Sequence, residues 1–207
     1  MKKEAPLNAL ASYLPEGTFQ PVMEFITFYK VHLTITRERS SILGDYRHPD
    51  GRGKGHRISI NGSLNKYAFL LTLLHEIAHL TTFNKYQNSV ASHGKEWKHE
   101  FSSILRGFVG NKLLPPDIEL AVRQSMANPA ASSCADEDLM RVLKRYDRQK
   151  ENHFFVEQLP LHQLFKTKDG RIFRKGEKIR KRYRCEEVAS KKIYLFSPVY
   201  EVELASA

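Results

Sequence analysis

Residues 72–80 read TLLHEIAHL, and this stretch decides how the first half of the chain folds. It lies inside an apolar run, residues 67–83, that contains no Gly or Pro. Such a run predicts a buried helix. Residues four positions apart lie on the same face of a helix, one turn from each other, so His75 and His79 can reach one metal ion. Glu76 projects about 100° round the helix and can hold a water molecule beside that ion without being a ligand.

A zinc site that catalyses a reaction normally has three protein ligands and a water molecule. The next histidine, His93, stands fourteen residues after His79, just before a predicted amphipathic helix that carries Trp97. His99 is the competing third ligand. It lies two turns into that helix and six residues from His93, so the two imidazoles do not share a face. The spacing therefore favours His93.

The HExxH pattern is typical of zinc hydrolases, in which the glutamate is the general base. We therefore expect one Zn²⁺ ion, held by His75, His79 and His93, to acidify a water molecule and polarise a peptide carbonyl. Glu76 would take the proton from that water and return it to the leaving amine. The alternative is a set of hydrogen-bonded core histidines. Burying two imidazoles and a carboxylate costs free energy unless they are paired or bind metal, which favours the metal site.

The combination of HEIAHL (75–80) with HGKEW (93–97) resembles the SprT-like zinc metalloprotease family, whose members include the DNA–protein-crosslink protease Spartan. Three predicted short strands before the motif helix are similar to the family's sheet. The resemblance covers about residues 5–126. It implies a zincin-like fold, a zinc ion with His93 as third ligand, and protein substrates, with DNA-associated proteins the first candidates.

The helical and strand patterns predict an α+β fold. We expect a zincin-like domain of helices with a small antiparallel sheet over residues 1–127, a linker and helix over 128–152, and a basic antiparallel β region over 153–207. The sequence NPAASS, residues 128–133, predicts the linker. Predicted helices cover residues 7–14, 20–29, 63–83, 95–109, 117–126 and 136–146, and predicted strands before the linker cover 31–35, 41–47 and 56–61.

The C-terminal region has the pattern of a small antiparallel meander. Predicted strands cover residues 154–156, 162–168, 171–174, 178–188, 192–196 and 199–204, with Asp169-Gly170 as a hairpin turn. Many SprT-like proteins carry a zinc ribbon with two CxxC pairs here, but this chain has no CxxC. Cys134 and Cys185 lie fifty-one residues apart, and no spacing supports a mixed site with His153 and His162. A second zinc ion is therefore not expected, and the region is interpreted as a degenerate counterpart of the ribbon.

The chain has a formal net charge of +10, and most of it lies near the C-terminus. Residues 165–192 contain twelve Lys or Arg and four Asp or Glu, a net charge of +8. A single strand over 178–188 would place Lys178, Arg180, Arg182 and Arg184 on one face. With Phe165, Phe173, Tyr194 and Phe196 nearby, this face is predicted to bind DNA, with phosphates on the cations and single-stranded bases on the aromatics. The alternative is a solvated face over an aromatic core.

Two functions from different classes follow. The first is a zinc-dependent peptidase, and the alternative is a nucleic-acid-binding protein whose zincin domain is structural or vestigial.

The N-terminus lacks the apolar core of a secretory signal, and the longest apolar run is too short to span a bilayer. With two cysteines in the chain, a cytoplasmic protein with reduced thiols is expected.

Overall fold

The computed structural model describes residues 7–37, 42–110, 112–126, 136–147 and 152–205. The chain divides into two compact units, Met1–Asp147 and Arg148–Ala207. The predicted α+β class is confirmed.

The helices are α1 (Leu7–Tyr13), α2 (Phe19–Phe28), α3 (Lys66–Tyr86), α4 (Lys95–Arg106), α5 (Pro116–Met126) and α6 (Glu137–Lys144). The strands are β1 (His32–Thr36), β2 (Gly44–Arg47), β3 (Arg57–Asn61), β4 (His153–Phe155), β5 (Leu164–Lys166), β6 (Ile172–Ile179), β7 (Arg182–Glu187), β8 (Ile193–Phe196) and β9 (Glu201–Leu204).

The three strands of the first unit form a mixed sheet in the order β1-β3-β2. β2 is antiparallel to β3, but β1 is parallel to it, with Leu33 opposite Ile58. The expectation of a wholly antiparallel sheet was therefore wrong. β2 pairs with one edge of β3 as its loop-connected neighbour, which leaves β1 the other edge. The central strand buries Ile58 and Ile60 against the helical core.

The central helix α3 begins at a side-chain cap and is buried along most of its length. The Asn65 side-chain oxygen accepts hydrogen bonds from the backbone N–H groups of Tyr67 and Ala68, which would otherwise lack partners in the first turn. Nearly every residue from Phe69 to Thr82 is buried. A helix that is apolar all round must lie inside the core, and α3 does so. Within the described ranges, no helix is long and apolar enough to cross a membrane.

Helix α6 belongs to the first unit, although the sequence suggests that it follows a linker outside the first domain. Leu139 and Leu143 pack into the same core cluster as α3. The Asn65 amide donates hydrogen bonds to the Leu143 carbonyl and to the Asp147 carboxylate. This amphipathic helix needs an apolar surface to cover its buried stripe, and the first unit provides one. The predicted linker, residues 128–133, lies outside the described residues.

The second unit is a six-stranded antiparallel sheet in the order β4-β9-β5-β6-β7-β8. Its core holds Phe165, Phe173 and Cys185, all fully buried, together with Val156 and Val202. The hairpin predicted at Asp169-Gly170 joins β5 to β6, and Gly170 takes the left-handed backbone conformation that the turn requires, with φ of +84°.

Candidate metal centre

Three histidine side chains from two parts of the chain converge on one point in the first unit. His75 and His79 lie one turn apart on α3, and His93 lies in the loop that leads into α4. The Nε2 atom of His75 is 3.2 Å from Nε2 of His79 and 3.3 Å from Nε2 of His93. All three histidines offer a ligand atom within 4.8 Å of one another. His99, the alternative third ligand, is exposed and does not belong to this group.

These nitrogen–nitrogen distances suit a zinc ion. Nitrogen ligands about 2.0–2.1 Å from a tetrahedral centre are separated by roughly 3.3–3.4 Å. A neutral imidazole has one acceptor nitrogen and one N–H, so three Nε2 atoms that face one another cannot all be satisfied by hydrogen bonds among themselves. A cation accepts all three lone pairs at once. The donor set therefore fits one Zn²⁺ ion.

Trp97 holds the three imidazoles in place. It is fully buried on the first turn of α4, and its ring centroid lies 4.6 Å from that of His75, 5.3 Å from His79 and 4.7 Å from His93. Phe101 stacks on Trp97 with a centroid distance of 5.0 Å. Side chains locked in this way keep their rotamers, which is what a metal site needs.

An ion pair ties helix α4 to the last turn of α3. The Lys85 ammonium lies 2.7 Å from a carboxylate oxygen of Glu100, and the Glu100 side chain is buried. Because α3 carries two of the histidines and His93 precedes α4, this contact helps to keep the three imidazoles together.

Burial keeps the imidazoles neutral, which is the form that binds metal. The pKa of His75 is lowered to about 3, mainly because burial disfavours the charged ring and secondly because His79 and His93 are close. The pKa of His79 is lowered to about 4 by burial and by His93. Burial also lowers the pKa of His93. Within the described part of the chain, the buried Nδ1 atom of His75 has no hydrogen-bond partner.

Glu76 follows the first histidine on α3 and is 6% exposed. It packs against Gly44, the first residue of the edge strand β2. A Cβ atom added at Gly44 would meet Oε1 of Glu76 at 2.5 Å and its Cγ at 2.9 Å. The absence of a side chain at residue 44 therefore makes room for the carboxylate. Sequence reasoning missed this contact, because Gly44 and Glu76 are brought together only by the packing of β2 on α3.

A second group of side chains, to which the sequence assigns no role, lies near the end of α3. The Tyr46 hydroxyl is 2.9 Å from Nδ1 of His56, and the His48 ring stacks on Phe83 with centroids 4.6 Å apart. Burial raises the pKa of Tyr46 above its usual value and lowers that of His56. No spacing in the sequence links these residues, since they come from β2, the loop between β2 and β3, and α3.

The sequence assigns neither cysteine to a metal site, and it predicts DNA contacts along a single basic strand. Cys185 is buried in the core of the second unit, and Cys134 lies outside the described residues. The single strand predicted over 178–188 was wrong, because β6 ends at Ile179 and β7 begins at Arg182. Arg180 and Lys181 form the turn between them.

The basic residues therefore do not share one face. Lys178 pairs with Tyr183 across the hairpin, whereas Arg182 and Arg184 lie on the opposite face of β7. The predicted stacking platform is also wrong for three of its four aromatics. Phe165, Phe173 and Phe196 are 0%, 0% and 9% exposed, so they form the core of the sheet.

Comparison with protein-family models matches residues 18–119 to the SprT-like family. The matched segment contains all three histidines, Glu76 and Gly44. No curated protein matches the chain, and no solved structure matches it.

Proposed function

We propose that this chain, whose residues 18–119 match the SprT-like family of zincin-like metalloproteases, is a zinc-dependent peptidase acting on proteins associated with DNA. The observation that carries the peptidase assignment is the convergence of His75, His79 and His93 beside a buried carboxylate, that of Glu76. The basic character of the second unit supports the assignment of DNA-associated proteins as substrates, since a polyanion is the natural partner for a net charge of +8 within 28 residues.

In the proposed mechanism the three Nε2 atoms would hold one Zn²⁺ ion. When bound, zinc supplies Lewis-acid chemistry, acidifying water and polarising a carbonyl group. Glu76 accepts a proton from the attacking water and returns it to the nitrogen of the departing peptide. Trp97 fixes the imidazole orientations, and the contact with Gly44 fixes the carboxylate.

The alternative, a nucleic-acid-binding protein with a purely structural metal site, does not account for Glu76. A structural zinc site is closed by four protein ligands, whereas three histidines leave one position open. Glu76 directly follows His75 on α3 and is buried, which puts a carboxylate where the general base of a zinc hydrolase is needed. The open position and the carboxylate together favour catalysis.

The direct test compares the wild-type chain with Glu76→Gln on a casein substrate, with and without added zinc and with and without DNA. We expect zinc-dependent cleavage that a chelator abolishes. Glu76→Gln should lower kcat by about 10²–10⁴ because it removes the general base, while binding the same single zinc ion. Glu16→Gln, an exposed substitution of the same chemistry in the turn before α2, is the matched control and should leave activity unchanged. Full activity in Glu76→Gln would show that the assigned base is wrong.

A further inference from the structure

The β6–β7 hairpin extends beyond the rest of the sheet in the second unit. β5 pairs with β6 at Ile172–Arg174, and β8 pairs with β7 at Tyr183–Glu186. Within the described residues, the last rung of the hairpin, Ile179 opposite Arg182, therefore has no neighbouring strand on either side. We call residues 178–184 the hairpin tip. Its turn is made by Arg180, with φ of +54°, and Lys181.

The hairpin tip concentrates positive charge. It contains five basic residues, and Glu177 is the one acidic residue directly adjoining it in the sequence. Among the described residues, none of the tip's cations makes an ion pair, and all of them are exposed: Lys178, Arg180, Lys181, Arg182 and Arg184. Several other basic residues of the same sheet are in ion pairs. Lys166 contacts Glu203 at 3.0 Å, and Arg171 contacts Asp169 at 2.8 Å.

The arrangement of these charges matters because like charges held close together repel one another unless counterions are present. Lys178 lies over the Tyr183 ring, 5.7 Å from its centroid. Lys175, on the same face, is buried and donates hydrogen bonds to the Glu157 and Leu159 carbonyls, so Lys178 supplies the exposed charge there. Arg182 and Arg184 project from the other face. The ribbon is therefore basic on both faces and at its end. A partner that surrounds the ribbon with negative charge on both sides satisfies this arrangement better than a flat anionic surface.

A groove of duplex DNA is such a partner. Paired strands lie about 4.8 Å apart, and the major groove of B-form DNA, about 12 Å wide, admits a two-stranded β-ribbon between its phosphate walls. The major groove of an A-form RNA duplex is too narrow for side chains to enter. Single-stranded DNA is bound largely by stacking on exposed aromatics, and the aromatics beneath the hairpin, Phe165, Phe173 and Phe196, are buried. A membrane surface is the other anionic candidate, because Ile179 in the tip and Leu195, opposite Arg184 on β8, are exposed; vesicles containing anionic lipid are therefore part of the test.

From these observations we propose that the hairpin tip binds B-form duplex DNA, with its turn and last rung, residues 179–182, in the major groove and its cations on the flanking phosphates. This inference deepens the proposed function, on which it rests for its biological meaning, by naming the form of nucleic acid that would bring the peptidase to its substrates. It also departs from the sequence-based expectation of single-stranded bases stacked on aromatic side chains.

The test measures binding of the full chain to a 20-base-pair DNA duplex as a function of salt, in the Glu76→Gln background. Because this measurement does not depend on cleavage, failure of DNA binding and failure of the peptidase assignment remain distinguishable. The double substitution Arg180→Gln with Lys181→Gln removes two tip charges. Its matched control is Lys191→Gln with Lys192→Gln, in the turn at the opposite end of β7. Both pairs are exposed, and both begin with a residue at positive φ.

We expect the tip variant to bind duplex DNA on the order of tenfold more weakly at 0.1 M salt for each phosphate that it no longer neutralises. The slope of log K against log salt should become shallower by about 1.8, that is, about 0.9 for each of two phosphates. The control should bind like the parent chain. If the tip variant folds poorly by circular dichroism, Arg182→Gln with Arg184→Gln, within β7, replaces it with the same expectation.

Three results would overturn the proposal. The first is no measurable binding to the DNA duplex at low salt. The second is an equal decrease in affinity in the tip variant and its control, which would indicate attraction by net charge alone. The third is tighter binding to single-stranded DNA, to an RNA duplex or to vesicles containing anionic lipid than to the DNA duplex, which would identify a different partner.

Discussion

Substitution of Gly44 by alanine tests whether the edge strand positions the catalytic carboxylate. The new Cβ would lie 2.5 Å from Oε1 of Glu76, whereas ordinary contacts begin at 3.4 Å, so the carboxylate or the strand must move by about 0.9 Å. A misplacement of about 1 Å at a catalytic group costs on the order of 10²-fold in rate. We therefore expect Gly44→Ala to lower kcat about a hundredfold in the casein assay while KM changes little.

The metal should stay bound in this variant, because the contacts that a Cβ at Gly44 meets are Glu76 and Thr72 and not the histidines. Elemental analysis should still find one zinc ion per chain. Gly55→Ala is the matched control, since the nearest atom to its Cβ, the Lys30 carbonyl oxygen, is 4.0 Å away and its φ is not positive. Wild-type activity in Gly44→Ala, with the stability unchanged, would refute the idea that Glu76 works from its position against β2.

Other contacts lead to three further predictions. Trp97→Ala should lower the free energy of unfolding by about 3–5 kcal/mol, the usual cost of removing a large buried aromatic, and should weaken zinc binding; denaturant titration and zinc competition measure the two effects. His56 should titrate by NMR below the ordinary histidine pKa of about 6.5, because burial lowers its pKa. Near that pKa the folded state binds fewer protons than the unfolded state. The contribution of neutral His56 to the free energy of unfolding is therefore fully present above about pH 6.5 and is lost as the pH falls towards the lowered pKa. Over the same pH range the free energy of unfolding of His56→Gln should decrease less. Gly176→Ala should destabilise the second unit by about 1–3 kcal/mol, because its Cβ would collide with the backbone carbonyl of Arg184 at the bulge in β6; hydrogen exchange of the β7 amides would report it.

The features that the sequence predicts well are those set by local pattern. The motif helix is predicted over 63–83 and runs over Lys66–Tyr86, because a long apolar run without breakers has few other ways to bury itself. The choice of His93 over His99 agrees with the cluster in the structure, since a residue just before a helix can approach the neighbouring helix while His99 is exposed to solvent. Neither prediction needs long-range information.

The features that the sequence could not predict depend on contacts between distant segments. The edge of β3 that β1 occupies depends on which edge β2 takes, and the parallel direction of the β1–β3 pair has no local signal in the sequence. The β6–β7 turn carries no Gly, Asn or Asp, and a positive φ at Arg180 is uncommon for such a residue, so no turn signal interrupts the basic run. The contact of Gly44 with Glu76 likewise has no local signature.

Crystallography of the zinc-loaded protein, with anomalous data collected at the zinc edge, would show directly whether the three histidines form a catalytic metal site. We predict one strong peak located about 2.0–2.1 Å from the Nε2 atoms of His75, His79 and His93, with a water molecule next to the Glu76 carboxylate. A zinc-soaked crystal with no peak among these three nitrogens, or with its peak at His48 and His56 instead, would contradict the assignment.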